Sequence, residues 1–362
     1  QINTATLVMI DDRPVFNHNL GGTFWESIPV DISDIDRIEI VRGPAAPLFG
    51  PNAVTGVINI ITLNPDEYNQ HVSAHFEYGS NNSAIGSARV SKKLTDELSV
   101  FISGNFQERE RFTDEYINPF NGQSGSTRDL PLDLQATFND GTSIGRSAIN
   151  TGVSYIPNEN IKLNLAAGYQ DNDVLKNYVQ NNQLSMGWAK ANSGYLNLDA
   201  KLHNLNIRSS LWSGRENLSV NIAPGRYDFQ VFETTSEYEI AIGKIGRILP
   251  GLSYTRVEFS DEDYSDQEVV YLQGERFIET RAASLRSDWN LSDSWRLIAA
   301  LRVNDFTTHN DKYLSYQLAT TYKVNDNHLL RASLSRSNSG SFVGNNFLNS
   351  TDGVLSGFTN TD

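Results

Sequence analysis

From residue 71 onward the chain alternates apolar and polar positions. Val72, Ala74, Phe76 and Tyr78 fall on one face of the first run, with His71, Ser73, His75 and Glu77 on the other. The period returns in Ile161, Leu163, Leu165, Ala167 and Tyr169, opposed by Lys162, Asn164, Gly168 and Gln170. It returns again in Leu196, Leu198, Ala200 and Leu202, in Leu205, Ile207 and Leu211, and in Trp295, Leu297, Ala299, Leu301 and Val303. Leu314, Tyr316, Leu318, Thr320 and Tyr322 follow, then Leu330, Ala332 and Leu334. Successive side chains of a strand point to opposite faces, so each run predicts a strand with one greasy and one polar side. About 13 such strands are expected from residue 67 to the end.

The runs have the ~9–11 residues that cross a hydrocarbon layer when tilted about 45°. An apolar outside and a polar inside is the repeat of a membrane β-barrel. Tyr78, Phe106, Tyr155, Tyr169, Trp212, Trp295 and Tyr322 lie towards strand ends, as an interfacial girdle requires. Short links at Leu94–Glu97, Pro157–Asn160, Leu291–Ser294 and Val324–Asn327 alternate with long polar excursions. These excursions are Glu108–Ser147, Asp171–Ser193, Arg215–Tyr227 and Asp261–Glu275. Such barrels have short turns at one rim and long loops at the other.

Residues 1–66 have another texture. Thr6–Ile10 reads as a short strand, turned by Asp11-Asp12-Arg13-Pro14, and Asn17–Pro29 as a polar and aromatic loop around Gly21-Gly22. Ile38 and Ile40 alternate with Arg37 and Glu39, and Arg42-Gly43-Pro44 stops that strand, because proline cannot donate to a ladder. Gly50-Pro51-Asn52 is a second breaker, and the β-branched run Val57–Thr62 a second strand.

The stretch RIEIVRGPAAPLFGPNAVTGVINIIT, residues 37–62, resembles the C-terminal half of the plug domain of TonB-dependent outer-membrane receptors. The resemblance runs ungapped through Arg37-Ile38-Glu39, Arg42-Gly43-Pro44, Leu48-Phe49-Gly50, Asn52-Ala53 and Gly56–Thr62. It implies an all-β membrane protein, a transmembrane antiparallel β-barrel with a small α/β plug. Residues 1–66 would be plug and 67–362 barrel. Plugged transporters have roughly 22 strands, so the chain reads as a fragment. The start of the plug, with its TonB box, and the remaining wall strands are expected beyond it. Asp12-Arg13 stands where the family has Asp-Gly, which predicts a looser turn.

By the same resemblance the protein imports a scarce ligand across the outer membrane of a Gram-negative bacterium. An iron–siderophore complex comes first, with haem, cobalamin or an oligosaccharide as alternatives. TonB and its inner-membrane energising complex are the implied partners, beside the outer-membrane lipid. A passive porin, or an adhesin or signalling receptor on the same scaffold, is the reading of another class.

Composition removes other classes. The 362 residues carry a net charge of −14, no cysteine and 39% hydrophobic residues. The acidic balance speaks against nucleic acid, which needs clustered Lys and Arg. Thiolate metal sites and disulfides are excluded. No run of about 18 apolar residues predicts a transmembrane helix. Gln1-Ile2-Asn3-Thr4 has no signal-peptide pattern, as maturation or truncation would leave it. No nucleophile elbow, zinc-protease or phosphate-loop motif occurs. The expectation is no enzyme, no cofactor and no catalytic residue.

Candidate site residues are few. His18, Asn19, Phe24 and Trp25 sit in the loop that the resemblance places towards the ligand; packing against the wall is the plainer account of them. The resemblance implies that Arg42 locks the plug to a glutamate on the wall, with Glu77 as the candidate partner; a local ion pair with Glu39 or Asp36 is the plainer account. His71 and His75 share a face but stand roughly 13 Å apart along a strand, too far to share one ion at about 2.1 Å. Arg109 and Arg111, with Glu108 and Glu110, read as rim charge. Asp261, Glu262, Asp263 and Asp266 read as a solvated acidic loop, with Ca²⁺ as the alternative.

Overall fold

A computed structural model describes the backbone of residues 5–343, apart from 20, 68, 111, 113–114, 118–123, 127–141, 181–182, 221–222, 265–271, 273 and 309–310. Arg111, Asp266 and residues 344–362 lie outside the described residues.

Two sheets organise the chain. The small one contains β1 (Thr6–Ile10), β2 (Arg13–Pro14), β3 (Ile35–Arg42) and β4 (Gly56–Thr62), in the order β2-β1-β4-β3. β1 runs parallel to β4, and β3 antiparallel to it. A one-turn helix, α1 (Ala46–Phe49), fills the β3–β4 connection with Pro47 in its first turn. Its end is set by Gly50 at φ 94° and Asn52 at φ 74°. Leu7, Met9, Phe16, Ala45, Ala46, Ala53 and Val57 pack one face of this sheet; Val8, Ile10, Ile28, Val30 and Ile60 pack the other. β4 is buried on both faces, which is why its sequence is β-branched without clean alternation.

The turn after β1 is tighter than expected. Ile10 pairs with Arg13, so Asp11 and Asp12 alone make the connection. Both take positive φ, 48° and 63°, the pair of left-handed residues that a type I′ hairpin needs. Asp11 accepts from the Thr62 amide and hydroxyl (both 2.8 Å), and Asp12 from Asn59 Nδ2 (2.8 Å). Those bonds replace the freedom glycine would have supplied.

The large sheet has 14 strands, 13 of them in one antiparallel path and β15 off it. The first six are β5 (Gln70–Gly79), β6 (Ser83–Lys93), β7 (Leu98–Glu110), β10 (Thr142–Asn158), β11 (Ile161–Gln180) and β12 (Gln183–Leu202). Next come β13 (Leu205–Val220), β14 (Ala223–Tyr238), β16 (Gly246–Ser260), β17 (Arg276–Ser292), β18 (Trp295–Phe306), β19 (Asp311–Asn325) and β20 (His328–Arg336). β15 (Ile240–Ile242) continues β14 along β16. A separate pair, β8 (Glu115–Ile117) and β9 (Ser124–Ser126), lies between β7 and β10. Among the described residues β5 and β20 are the free edges of the path, and no helix is long and apolar enough to cross a membrane.

The period-2 faces fall as expected. Val72, Phe76, Leu165, Leu196, Leu301, Val303, Leu318 and Leu334 are all exposed on the outer face, where lipid would cover them. Tyr78, Tyr169, Trp295 and Tyr322 are exposed with them. Trp212 departs from the girdle. It has the opposite parity to Leu211, points inward and packs edge-on against Phe229 at 4.8 Å. Two of the four polar excursions are not loops: β11–β12 and β13–β14 continue as paired ribbons to Gln180–Gln183 and Val220–Ala223. Polar residues on both faces of a ladder keep its backbone bonds and only lose the greasy side.

Candidate functional site

The inner face of the large sheet holds the small sheet through side chains that reach its main chain. Asn105 and Asn150 both donate to the Pro29 carbonyl at 3.0 Å. Arg146 donates to the Ile28 carbonyl at 3.2 Å, and Gln317 to the Pro44 carbonyl at 3.1 Å. Ser154 Oγ donates to Asp66 at 2.6 Å.

Charged contacts run from acids on the small sheet to arginines on the wall. Arg89 is 2% exposed. Its Nη1 lies 3.4 Å from Asp34 Oδ1, its Nη2 donates to the Leu63 carbonyl at 2.6 Å, and its guanidinium stacks 4.3 Å over Phe101. Burial raises the Asp34 pKa, with Arg89 pulling it back. Asp31 goes the other way: burial raises it, but bonds from Ser33 and Ser87 and the nearby Arg146 more than offset that. Arg208 meets Asp12 at 3.2 Å.

Arg13, the one buried arginine of the small sheet, is 7% exposed and lies 4.4 Å over the Tyr195 ring. Tyr195 in turn donates to Asn150 at 2.7 Å. Gly168 makes room for that platform, since a Cβ there would stand 2.5 Å from the ring. Burial depresses the Arg13 pKa, opposed by Tyr195, Asp11 and Glu233.

Residues 15–30, residue 20 apart, connect β2 towards β3 through the 3-10 turn Trp25–Ser27. Asn17 Nδ2 donates to both Glu216 oxygens at 3.2 and 3.3 Å, and the Tyr227 hydroxyl donates to the same carboxylate. Asn19 Nδ2 donates to Tyr227 at 2.6 Å. Around this polar knot, Tyr227, Phe229, Val231, Val257, Phe259, Leu272, Ile278 and Val343 form the main core cluster of the wall.

The four loop candidates therefore separate. Asn19 is fully buried in the knot. His18 is half-buried, stacked edge-on against Phe16 at 5.1 Å, and burial lowers its pKa to about 4. Phe24 is half-buried and lines a small cavity of about 30 Å³ with Tyr195, Trp212 and Glu216. Trp25 is 49% exposed, in a 3-10 turn Trp25–Ser27 beside β10 and β11.

The Arg42 lock is not assembled from the predicted partners. Glu39 and Asp36 both bind Arg37, at 2.9 and 2.7 Å. Arg37 and Glu39 share a face at i, i+2, whereas Glu39 and Arg42 lie on opposite faces at a separation of three. Glu77 binds His75 at 3.0 Å by the same parity. Arg42 is exposed on β3, the outer strand of the small sheet. In the acidic loop Glu262 and Asp263 are exposed as expected, whereas Asp261 is 4% exposed and accepts from the Leu272 and Gly274 amides at 2.6 and 2.8 Å. That carboxylate closes its own loop.

Arg89, Asp34, Glu216 and Tyr227 were not singled out from the sequence. Arg89 alone carried a signal, as a charge on the inward face in the middle of a strand of small and apolar residues.

A larger cavity of about 200 Å³ lies between the small sheet and the wall from β12 to β18. Arg13, His18, Phe49 and Asn52 face Ser210, Glu233, Thr255, Thr280 and Arg302 across it.

A sheet domain held inside a polar-lined, greasy-backed wall is matched by two family descriptions. The plug domain of TonB-dependent receptors covers residues 3–57, and the TonB-dependent receptor-like β-barrel covers residues 56–361. The chain belongs to the TonB-dependent receptor family. The vitamin B12 transporter BtuB of Vibrio vulnificus is 23% identical over 347 residues, covering 92% of this chain and 52% of that protein. The probable TonB-dependent siderophore receptor PirA of Acinetobacter baumannii is 26% identical over 385 residues, covering 91% and 50%. The chain thus spans about half the length of the curated relatives it matches. Its fold is that of the crystal structure of the A. baumannii siderophore receptor PirA, with TM-score 0.69 at 16% identity over 95% of this chain and 55% of that one. The FrpB iron transporter of Neisseria meningitidis gives TM-score 0.68 at 12% identity, covering 94% and 58%. The small sheet is the plug of this receptor and the large sheet is part of its barrel.

Proposed function

We propose that the receptor imports a scarce chelate across the outer membrane, an iron–siderophore complex first, with TonB supplying the energy. The observation that carries this is the seated plug. A barrel for passive flux has no use for a folded domain tied to its lumen through buried arginine, asparagine and glutamate side chains. Relatives described as siderophore receptors support iron chelates, and the V. vulnificus vitamin B12 transporter, matched along 92% of the chain, supports cobalamin as the second reading. Haem and oligosaccharides fit the same scaffold. The division between plug and barrel is drawn at residues 66 and 67, between the end of β4 at Thr62 and the start of β5 at Gln70. Trp25 is the loop residue proposed to meet the ligand. His18, Asn19 and Phe24 shape the loop beneath it. Arg42 is proposed to contact wall strands other than those described.

The test is uptake in an outer-membrane setting. Cells lacking other receptors and carrying the full-length gene should accumulate labelled ferric enterobactin or vitamin B12, and should stop when TonB is deleted. Uptake that persists without TonB, or a large constant ion conductance in planar bilayers, would point to a passive pore.

A further inference from the structure

The chain that leaves β20 does not turn out towards the rim. Ser337–Val343 runs between the plug and the wall, bonded to both. Ser337 Oγ accepts from the Ala46 amide at the start of α1 (3.2 Å). Asn52 Oδ1 accepts twice, from Ser339 Oγ at 3.2 Å and from the Gly340 amide at 2.8 Å. Asn338 and Ser341 bind back to the wall, at Ser315 (3.2 Å) and Thr308 (3.0 Å). The Val343 amide then donates to the His18 carbonyl at 2.8 Å, and its side chain is fully buried in the wall's aromatic cluster.

The segment therefore joins two separate parts of the plug, the α1–Asn52 turn and the loop at His18, and ties both to the wall. Gly340 and Ser341 also line the 200 Å³ cavity, beside Asn52 and His18. Below them the cavity walls are hydroxyl, carboxylate and guanidinium groups from Ser210, Thr255, Thr280, Glu233 and Arg302. That is a wettable lining.

We propose that Ser337–Val343 is a latch across a passage between the plug and strands β12–β18, and that Asn52 is the positioning residue that holds it shut. The inference rests on the transport reading for its purpose, but not for its structure. One acceptor takes both central bonds of the latch, so its release is one local event. A disturbance of the His18 loop pulls on Val343, and through the strap on Asn52. The passage opens on the side of the plug where the latch lies, while the deep contacts at Arg89 and Pro29 stay closed.

Two variants of the full-length receptor, made free of other cysteines, test this. A Cβ on Gly340 would lie 3.4 Å from Pro51 Cβ, just under the ~3.5–4.5 Å range of disulfides, so a small shift brings it into range. Pro51→Cys with Gly340→Cys should cross-link on oxidation. Cells carrying the oxidised form should bind labelled ferric enterobactin or vitamin B12 as the parent does, transport it about tenfold more slowly, and recover with reductant. Asn52→Gly keeps the positive φ, which glycine adopts freely, and removes the side-chain amide that carries the acceptor. Losing two hydrogen bonds should raise the open fraction about tenfold, read as faster entry of a bulky antibiotic and suppressed by the cross-link. Transport at the parental rate through a fully cross-linked receptor would overturn the proposal, as would unchanged antibiotic entry in Asn52→Gly. If the parent takes up neither probe, the transport reading is what fails, and antibiotic entry still decides the latch.

Discussion

Arg89→Ala removes the most deeply buried charge that joins plug to wall. The guanidinium is 2% exposed and has three partners: the Asp34 carboxylate at 3.4 Å, the Leu63 carbonyl at 2.6 Å and the Phe101 ring at 4.3 Å. Truncation leaves a buried carboxylate without its cation and a carbonyl without its donor. Breaking a buried pair from one side costs about 3–5 kcal/mol. Asp34 has one escape. Burial already raises its pKa, and Arg89 opposes that rise, so without Arg89 the carboxyl takes up a proton more readily. The cost should therefore sit near ~3 kcal/mol, the lower end of that range. The sign with pH follows. A carboxyl whose folded pKa is raised favours the folded state below its unfolded pKa of about 3.9, and that support is lost as pH rises through the folded value. The Arg89→Ala deficit should thus shrink as pH falls from about 7 to about 5. Calorimetric unfolding of the full-length receptor in detergent, with proteolysis of the plug as a second readout, measures it. Asp34→Asn combined with Arg89→Met leaves no stranded charge and should recover most of the loss. A single variant within ~0.5 kcal/mol of the parent, or a double variant no better than the sum of the singles, would refute the reasoning.

Glu216→Ala removes the acceptor that Asn17 and Tyr227 share. It should loosen the Asn17–Gly22 loop at a cost of about 1–3 kcal/mol, seen as faster cleavage near Gly21-Gly22, whereas Glu216→Gln should keep part of the protection. His18 titrates at about 4 in the folded chain against 6.5 for the free residue. The unfolded chain therefore binds the proton first, and stability is lost as pH falls from about 6.5 to about 4. The full difference of 2.5 units corresponds to about 3 kcal/mol. His18→Gln should flatten that part of the stability–pH curve; an unchanged curve would mean that His18 is solvated.

The wall was legible because its rule is local. Most strands from Val72 to Leu334 repeat one decision, greasy out and polar in, and a two-residue period shows in a single segment. Trp212 lies near a strand end as a girdle residue does, but its parity with Leu211 places it inside. The ribbons beyond Asp171 and Arg215 looked like loops because the pattern loses its greasy face there, although the ladder continues. The Asp11-Asp12 turn is tight without glycine because aspartate reaches positive φ when its carboxylate is occupied, here by Thr62 and Asn59. The seat of the plug was not legible. Asp34 meets Arg89 across 55 residues and Asn17 meets Glu216 across 199, and no local pattern records such meetings. Arg42 attracted attention because it interrupts a recognisable motif. Arg89 does more, and looks like an ordinary strand residue.

Much of the wall's grip on the plug ends on main-chain atoms: the carbonyls of Ile28, Pro29, Pro44 and Leu63. Those atoms are present whatever side chain the position carries. The plug's own sequence is then free to drift at these points, provided that its backbone keeps its path. Two receptors that share the path could exchange plugs across large differences in sequence and still seat them. Compatibility between cork and bottle would be inherited through the shape of a backbone, and only the few charged meetings, Asp34 with Arg89 foremost, would have to change hands as pairs.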